Sequence, residues 1–222
     1  MNLRPLLVLT APVALGYLPL SMAFGFLVVQ SGFSGWLALA MSLVVYTGAL
    51  QFLAVPMLAA GLSVGEIAFV ALTTNIRHVF YGLALRDRMP HGRWARLYAI
   101  YALTDETFSL VTASRVPIER DAIAWIAGIN QSFWIVGTVA GALLGHALPV
   151  LDGLGFALTA LFVVLTIDQA RILGEAFPFV AAAISCVIAL VFASDSMLFA
   201  AIGLTLLAIA AAACRTRGRP ES

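Results

Sequence analysis

Residues 6–29 read LLVLTAPVALGYLPLSMAFGFLVV, and none of these side chains carries a charge. A helix crossing the hydrocarbon core of a bilayer needs about 20 residues of this character. The run does not stop there. Between Arg4 and Glu66 no residue is formally charged. Arg4, the short apolar run after it and Ser21-Met22-Ala23 have the outline of a cleaved export signal. The apolar character continues past that site, so the stretch is read as a retained first helix.

The rest of the 222-residue chain has the same character. Its residues are 62% hydrophobic and 10% charged, with a mean hydropathy of +1.03. A soluble domain carries roughly 25% charged residues and could not bury so much apolar surface at this size. The expected fold is all-α, a polytopic helical membrane bundle with about seven transmembrane helices. All twelve basic residues are arginine. Without lysine there is no phosphate-binding P-loop and no Schiff-base chemistry. A net charge of +1 without a basic tract excludes nucleic acid as a partner. Cys186 and Cys214 lie in apolar stretches and read as inert core thiols.

Polar and glycine punctuation divides the chain into segments 5–30, 35–60, 64–86, 97–114, 121–146, 154–173, 177–194 and 196–214. Residues 1–214 form one transmembrane domain on this reading, and 215–222 a short basic tail. Arginine marks cytoplasmic loops. Arg86, Arg88, Arg93 and Arg96 form the densest cluster, Arg115 and Arg120 a second, and Arg215, Arg217 and Arg219 the C-terminal one. The C-terminus is therefore expected in the cytoplasm. A single crossing at 97–114 would put the first two clusters on opposite sides. It would also place Asp105-Glu106 at mid-membrane, at roughly 2.5–3.5 kcal/mol each. A broken or re-entrant segment resolves both difficulties.

Gly16, Pro19 and Gly25 are candidate breaks in the first segment, and Gly48, with Pro56 beyond it, in the second. Broken helices serve substrate sites in transporters, although kinks tolerated by packing give the same residues. Gly137, Gly141 and Gly145 recur every four residues, the pattern of close helix packing. A register placing Gln51 on Gln169 suggests a possible inverted repeat.

Polar residues inside a membrane mark pathways or partners. Thr74, Arg77, His78 and Tyr81 are spaced i, i+3, i+4, i+7, with Asn75 beside them. Arg77 precedes Arg86 by nine residues, about 13 Å of helix, further than its side chain reaches comfortably toward water. It needs an internal anion, and Asp105 and Glu106 are at hand. A substrate carboxylate competing for the guanidinium is one reading of such a pair, and a fixed structural bridge is the other. His78, Asp105 and Glu106 are candidate proton carriers; His78 could equally be a neutral ring on a backbone carbonyl. Ser42, Tyr46 and Gln51 form a second polar set, Asn130, Gln131 and Trp134 a third, and Asp168-Gln169 a fourth that reads as interfacial. Gly32-Phe33-Ser34-Gly35 imitates the nucleophile motif of rhomboid proteases, but His78 and His146 lack the asparagine four residues on that those enzymes supply. No metal-ligand spacing is present and no cofactor is implied.

Taken together these residues resemble the AzlC family, the large subunit of bacterial branched-chain amino-acid exporters. The resemblance is carried by Gly16-Tyr17-Leu18-Pro19 with Phe24-Gly25, and by Ser42 with Gly48-Ala49-Leu50-Gln51-Phe52. It continues through Asn75-Ile76-Arg77-His78 with Tyr81 and Leu103-Thr104-Asp105-Glu106-Thr107-Phe108, and ends with Asn130, Trp134 and Thr159-Ala160-Leu161-Phe162. It implies a two-component exporter in the bacterial inner (plasma) membrane with a small AzlD-type membrane subunit. The implied substrates are leucine, isoleucine, valine and analogues such as azaleucine, with methionine for some members. The alternative is a passive channel or a scaffold subunit for another small solute.

Overall fold

The computed structural model describes residues 3–114, 118–149, 163, 166–167, 170, 174–193 and 197–217. Among them the regular structure is helical throughout. The helices are α1 (Arg4–Gln30), α2 (Gly35–Val44), α3 (Gly48–Ala59), α4 (Val64–Asn75), α5 (Arg77–Ala84), α6 (Arg93–Tyr101), α7 (Asp105–Ala113), α8 (Arg120–Ala147), α9 (Phe177–Phe192) and α10 (Met197–Arg217). Two compact units result, residues 1–152 and 153–222. In the second, α9 and α10 pack on each other. Most of segment 154–173, with the Asp168-Gln169 set, Thr159–Phe162 and Gln169 of the suggested register, lies outside the described residues.

The spine of the first unit is α1 against α8. The helices hold 27 and 28 residues, about 40 Å each. Gly25, Gly137 and Gly141 make the close approach possible. An added Cβ would stand 2.0 Å from the Thr138 carbonyl oxygen at Gly25, 1.9 Å from Ser21 Oγ at Gly137 and 1.9 Å from the Met22 carbonyl oxygen at Gly141. Gly145 extends the seam against Val29. These are the small-residue contacts that let backbones touch inside a membrane.

The same seam corrects the reading of α1. Gly16, Pro19 and Gly25 do not break it; the helix runs unbroken through all three and through Pro12. Membrane helices tolerate proline where hydroxyls and neighbours satisfy the freed carbonyls. The carbonyls freed by Pro12 and Pro19 are those of Val8 and Leu15; beside them the Ser21 hydroxyl donates to the Tyr17 carbonyl at 2.7 Å, and Thr10 to the Leu6 carbonyl at 2.9 Å. Gly25 is a packing residue rather than a hinge.

Breaks do occur in two other segments. Segment 35–60 is interrupted at Val45-Tyr46-Thr47, and a new helix starts at Gly48; Pro56 lies inside it without interrupting it. The expected 97–114 becomes α6 and α7, separated by Ala102-Leu103-Thr104. Each half has nine residues, about 14 Å, less than half the hydrocarbon thickness. Around this break Leu85, Met89, Ala99, Leu103, Val111 and Ile123 form a buried cluster. It anchors the end of α5, both halves and the start of α8 to one another.

Among the described residues, Arg4–Gln30, Val64–Ala84 and Arg120–Ala147 are long and apolar enough to cross a membrane. Gly35–Val44, Gly48–Ala59, Phe177–Phe192 and Phe199–Ala212 are shorter apolar helices. Cys186 is exposed on α9 rather than buried in a core. α10 continues as helix through Arg215–Arg217, where a tail was expected to begin.

Candidate functional site

The break before α7 places a helix start in the interior. Thr104 is its N-cap, accepting from the Thr107 backbone N–H. Asp105 and Glu106 occupy the first turn, where carboxylates complement the helix dipole. Adjacent residues on a helix point about 100° apart, and these two acids reach different neighbours.

Asp105 Oδ2 lies 2.9 Å from Arg77 Nη2, the first residue of α5. The Arg77 and Asp105 side chains are 36% and 33% exposed, so this is a half-open ion pair rather than a sealed one. It is made through one atom on each side. Arg77 Nε and Asp105 Oδ1 are both buried without a hydrogen-bond partner. Asn75 Oδ1, at the end of α4, is in the same condition. The Asn75 carbonyl is contacted by His78 Nδ1 at 3.1 Å. The His78 ring packs edge-on against Tyr81, and Tyr81 stacks on Phe108 of α7 with centroids 4.4 Å apart.

Glu106 faces the other way. Its Oε2 accepts from the Tyr17 hydroxyl of α1 at 2.6 Å. The Tyr17 oxygen is 2.7 Å from Thr104 Oγ1, which is 3.2 Å from Thr107 Oγ1. Thr107 Oγ1 in turn accepts from Asn130 Nδ2 of α8 at 3.0 Å. Tyr17, Thr104, Thr107 and Asn130 are all buried. A continuous polar chain therefore joins an exposed carboxylate to a fully buried amide whose Oδ1 has no partner. Tyr46, in the break before α3, is buried with its hydroxyl likewise unpartnered.

The second polar set serves a different purpose. Trp134 Nε1 donates to Gln51 Oε1 at 2.8 Å, and Gln51 Nε2 donates to the Met41 carbonyl at 3.0 Å. Ser42 Oγ is 2.9 Å from Thr138 Oγ1. Gln131 Nε2 donates to the Ser42 carbonyl at 3.2 Å, while its Oε1 accepts from Tyr98 at 2.6 Å. The Tyr101 hydroxyl donates to the Leu43 carbonyl. Ser42 and Gln51 thus brace α2 and α3 onto α8. Gly48 brings the start of α3 against Trp134, leaving only 2.9 Å for an added Cβ. Trp134 also meets the Tyr17 ring edge-on at 5.1 Å, so both helix breaks approach Tyr17.

Of the residues singled out from sequence, Asn75, Arg77, His78, Tyr81 and Asp105 come together at the α5–α7 contact. Glu106 and Asn130 belong to the chain through Tyr17. Sequence reasoning gave no site role to Tyr17, Thr104 and Thr107. A tyrosine beside a helix-breaking Gly16 and a Thr-Asp-Glu-Thr run inside an apolar segment were the available signals.

A sequence profile described as AzlC protein matches residues 12–148, more than half of the chain. An uncharacterized membrane protein of Helicobacter pylori is 40% identical over 164 residues, covering 72% of each chain. The branched-chain amino acid transport protein AzlC of Bacillus subtilis is 30% identical over 72% of this chain and 65% of its own length. The inner membrane protein YgaZ of Escherichia coli is 38% identical over 68% of this chain and 66% of its own. No solved structure matches.

Proposed function

The chain belongs to the AzlC family of membrane transport proteins, and from that premise we propose that it exports branched-chain amino acids from the bacterial cytoplasm. Leucine, isoleucine, valine and their analogues are the substrates on this reading, with methionine as a further one. The chain works in the inner membrane with a small AzlD-type subunit, its C-terminus in the cytoplasm, and the proton-motive force drives it.

The observation that carries the proposal is the half-open, single-contact pair of Arg77 and Asp105. A guanidinium offers a planar fork that suits a carboxylate. The spare Nε of Arg77 and spare Oδ1 of Asp105 are a donor and an acceptor already withdrawn from water. A zwitterionic amino acid can enter between them, its carboxylate on Arg77 and its ammonium on Asp105. Net charge in the site is zero before and after, which matters where an unpaired charge is expensive. The apolar surroundings suit an aliphatic side chain. The energetics suffice: one charge crossing 100 mV is worth about 2.3 kcal/mol. At roughly 150 mV one proton sustains a gradient of about two decades.

The test uses cells with and without the chain and its small partner, loaded with a leucine-containing dipeptide. Leucine efflux is expected to be faster only when both proteins are present, and to collapse with a proton ionophore. Efflux that ignores the ionophore and never runs against a gradient would identify a passive channel instead. Unchanged efflux with both proteins in the membrane would remove branched-chain export.

A further inference from the structure

We propose that the loop between α5 and α6, together with the outer face of α6, binds one anionic phospholipid. The arginines of the loop take the phosphate and the helix face takes an acyl chain. This site does not depend on which solute the protein moves.

Between positions 86 and 96 stand Arg86, Arg88, Arg93 and Arg96, against Asp87 as the one acid. The loop is held in shape from both sides. Leu85 and Met89 are buried in the cluster around the α6–α7 break, and the turn Arg86–Arg88 is carried between them. On the far side Arg96 Nε donates to the Pro90 carbonyl at 3.0 Å, which ties the first turn of α6 back to the loop. Asp121 Oδ1 accepts from the His91 backbone N–H at 3.2 Å. Among the described residues, no carboxylate forms an ion pair with any of the four arginines. Arg86, Arg93 and Arg96 are exposed and Arg88 is partly so. An ordered cluster of guanidinium groups without a counter-charge suits an anion, and their planar forks match a phosphate.

The outer face of α6 decides which phosphate. Its first turn exposes Arg93, Trp94 and Arg96, with the Arg93 guanidinium 5.8 Å from the Trp94 ring. Further along, Leu97, Ile100 and Tyr101 are exposed. At about 100° per residue these six fall on one side of the helix, with buried Ala99 turned away. The face is therefore sorted along its axis, charged at the start and apolar beyond. Nine residues span about 14 Å, close to the hydrocarbon depth of one leaflet. A phospholipid has the same polarity over the same length, and tryptophan is at home at the headgroup level. Inorganic phosphate would leave Leu97 and Ile100 uncovered. An apolar partner helix would leave the arginines without a counter-charge. Each arginine beside an anionic headgroup strengthens binding roughly fivefold.

The measurement is tryptophan quenching in phosphatidylcholine vesicles carrying the chain and its small partner, with a small share of lipid brominated on its acyl chains. The brominated lipid is phosphatidylglycerol in one arm and phosphatidylcholine in the other. The difference between wild type and Trp94→Phe isolates the Trp94 signal. Brominated phosphatidylglycerol should quench it at a share at least about fivefold lower than brominated phosphatidylcholine. Arg86→Gln, Arg88→Gln and Arg93→Gln combined should bring the two lipids level with helix content unchanged. Equal quenching by both lipids in the wild type overturns the site, as does a preference that survives the triple change. A Trp94 signal that neither lipid reaches until the small partner is omitted gives the face to that subunit and overturns the site too. Should the triple variant fail to insert, raising the salt on wild-type vesicles takes its place. The preference then shrinks with screening, and a preference that ignores salt overturns the role of the arginines.

Discussion

At the scale of single residues, the partnership of Arg77 with Asp105 makes a sharp prediction. Arg77→Asp leaves two acids facing each other, and Asp105→Arg two cations. Each single change should reduce leucine efflux by at least about tenfold, because an unpaired charge at this depth is costly. The double exchange, Arg77→Asp with Asp105→Arg, should recover most of that loss. Efflux in the double variant no better than in the singles would show that the pair does not act as a unit. Sequence spacing was enough to show that Arg77 needs an internal anion. It could not choose between Asp105 and Glu106, which are adjacent in the chain and differ only in azimuth. That choice depends on which neighbour stands at each angle of α7: Arg77 at one, Tyr17 at the other. Tyr17 entered the sequence reading only within Gly16-Tyr17-Leu18-Pro19, and nothing there marked it as a partner for an acid 89 positions away.

At the scale of elements, the glycine seam between α1 and α8 predicts opposite outcomes for glycines in the same helices. Gly141→Val puts carbon atoms where the Met22 carbonyl oxygen stands. Forced overpacking of this kind costs about 1–3 kcal/mol or more, and thermal unfolding in detergent should show a lower midpoint. Gly16→Ala meets nothing within 4 Å, and alanine is the better helix former by about 1 kcal/mol. Its midpoint should stay or rise. Equal losses for both would refute the seam. The ends of α1 and α8 were readable within a residue, because polar and charged punctuation surrounds them. The breaks within 35–60 and 97–114 were harder to place. Inside a membrane both sides of a break are apolar, so hydropathy leaves no mark there. Gly48 gave a signal for the first through its glycine; at Ala102-Leu103-Thr104 only the following acids did.

At the scale of the whole molecule, topology is the open quantity with a direct reading. If α6 and α7 enter and leave on one side, single cysteines replacing Arg93 and Arg115 should both label from the cytoplasmic face. Cys186 is exposed and must be replaced first, together with Cys214. Labelling from opposite faces would make α6 and α7 a broken crossing instead. All-helical membrane character was legible from composition alone, since no other architecture hides this much apolar surface in a chain so poor in charge.

The α1–α8 seam also has a bearing on the order in which the protein is made. Gln30 donates to the Gly145 carbonyl across it at 3.0 Å, and the two residues are 115 positions apart. At about 5–20 residues per second, a ribosome takes roughly 6–23 s to travel that distance. For that time the first helix waits in the bilayer with its seam face, Ser21, Met22 and Gly25 among it, unmatched. The newborn chain is then most open to mispairing with another membrane protein, and an early helper would act on that face.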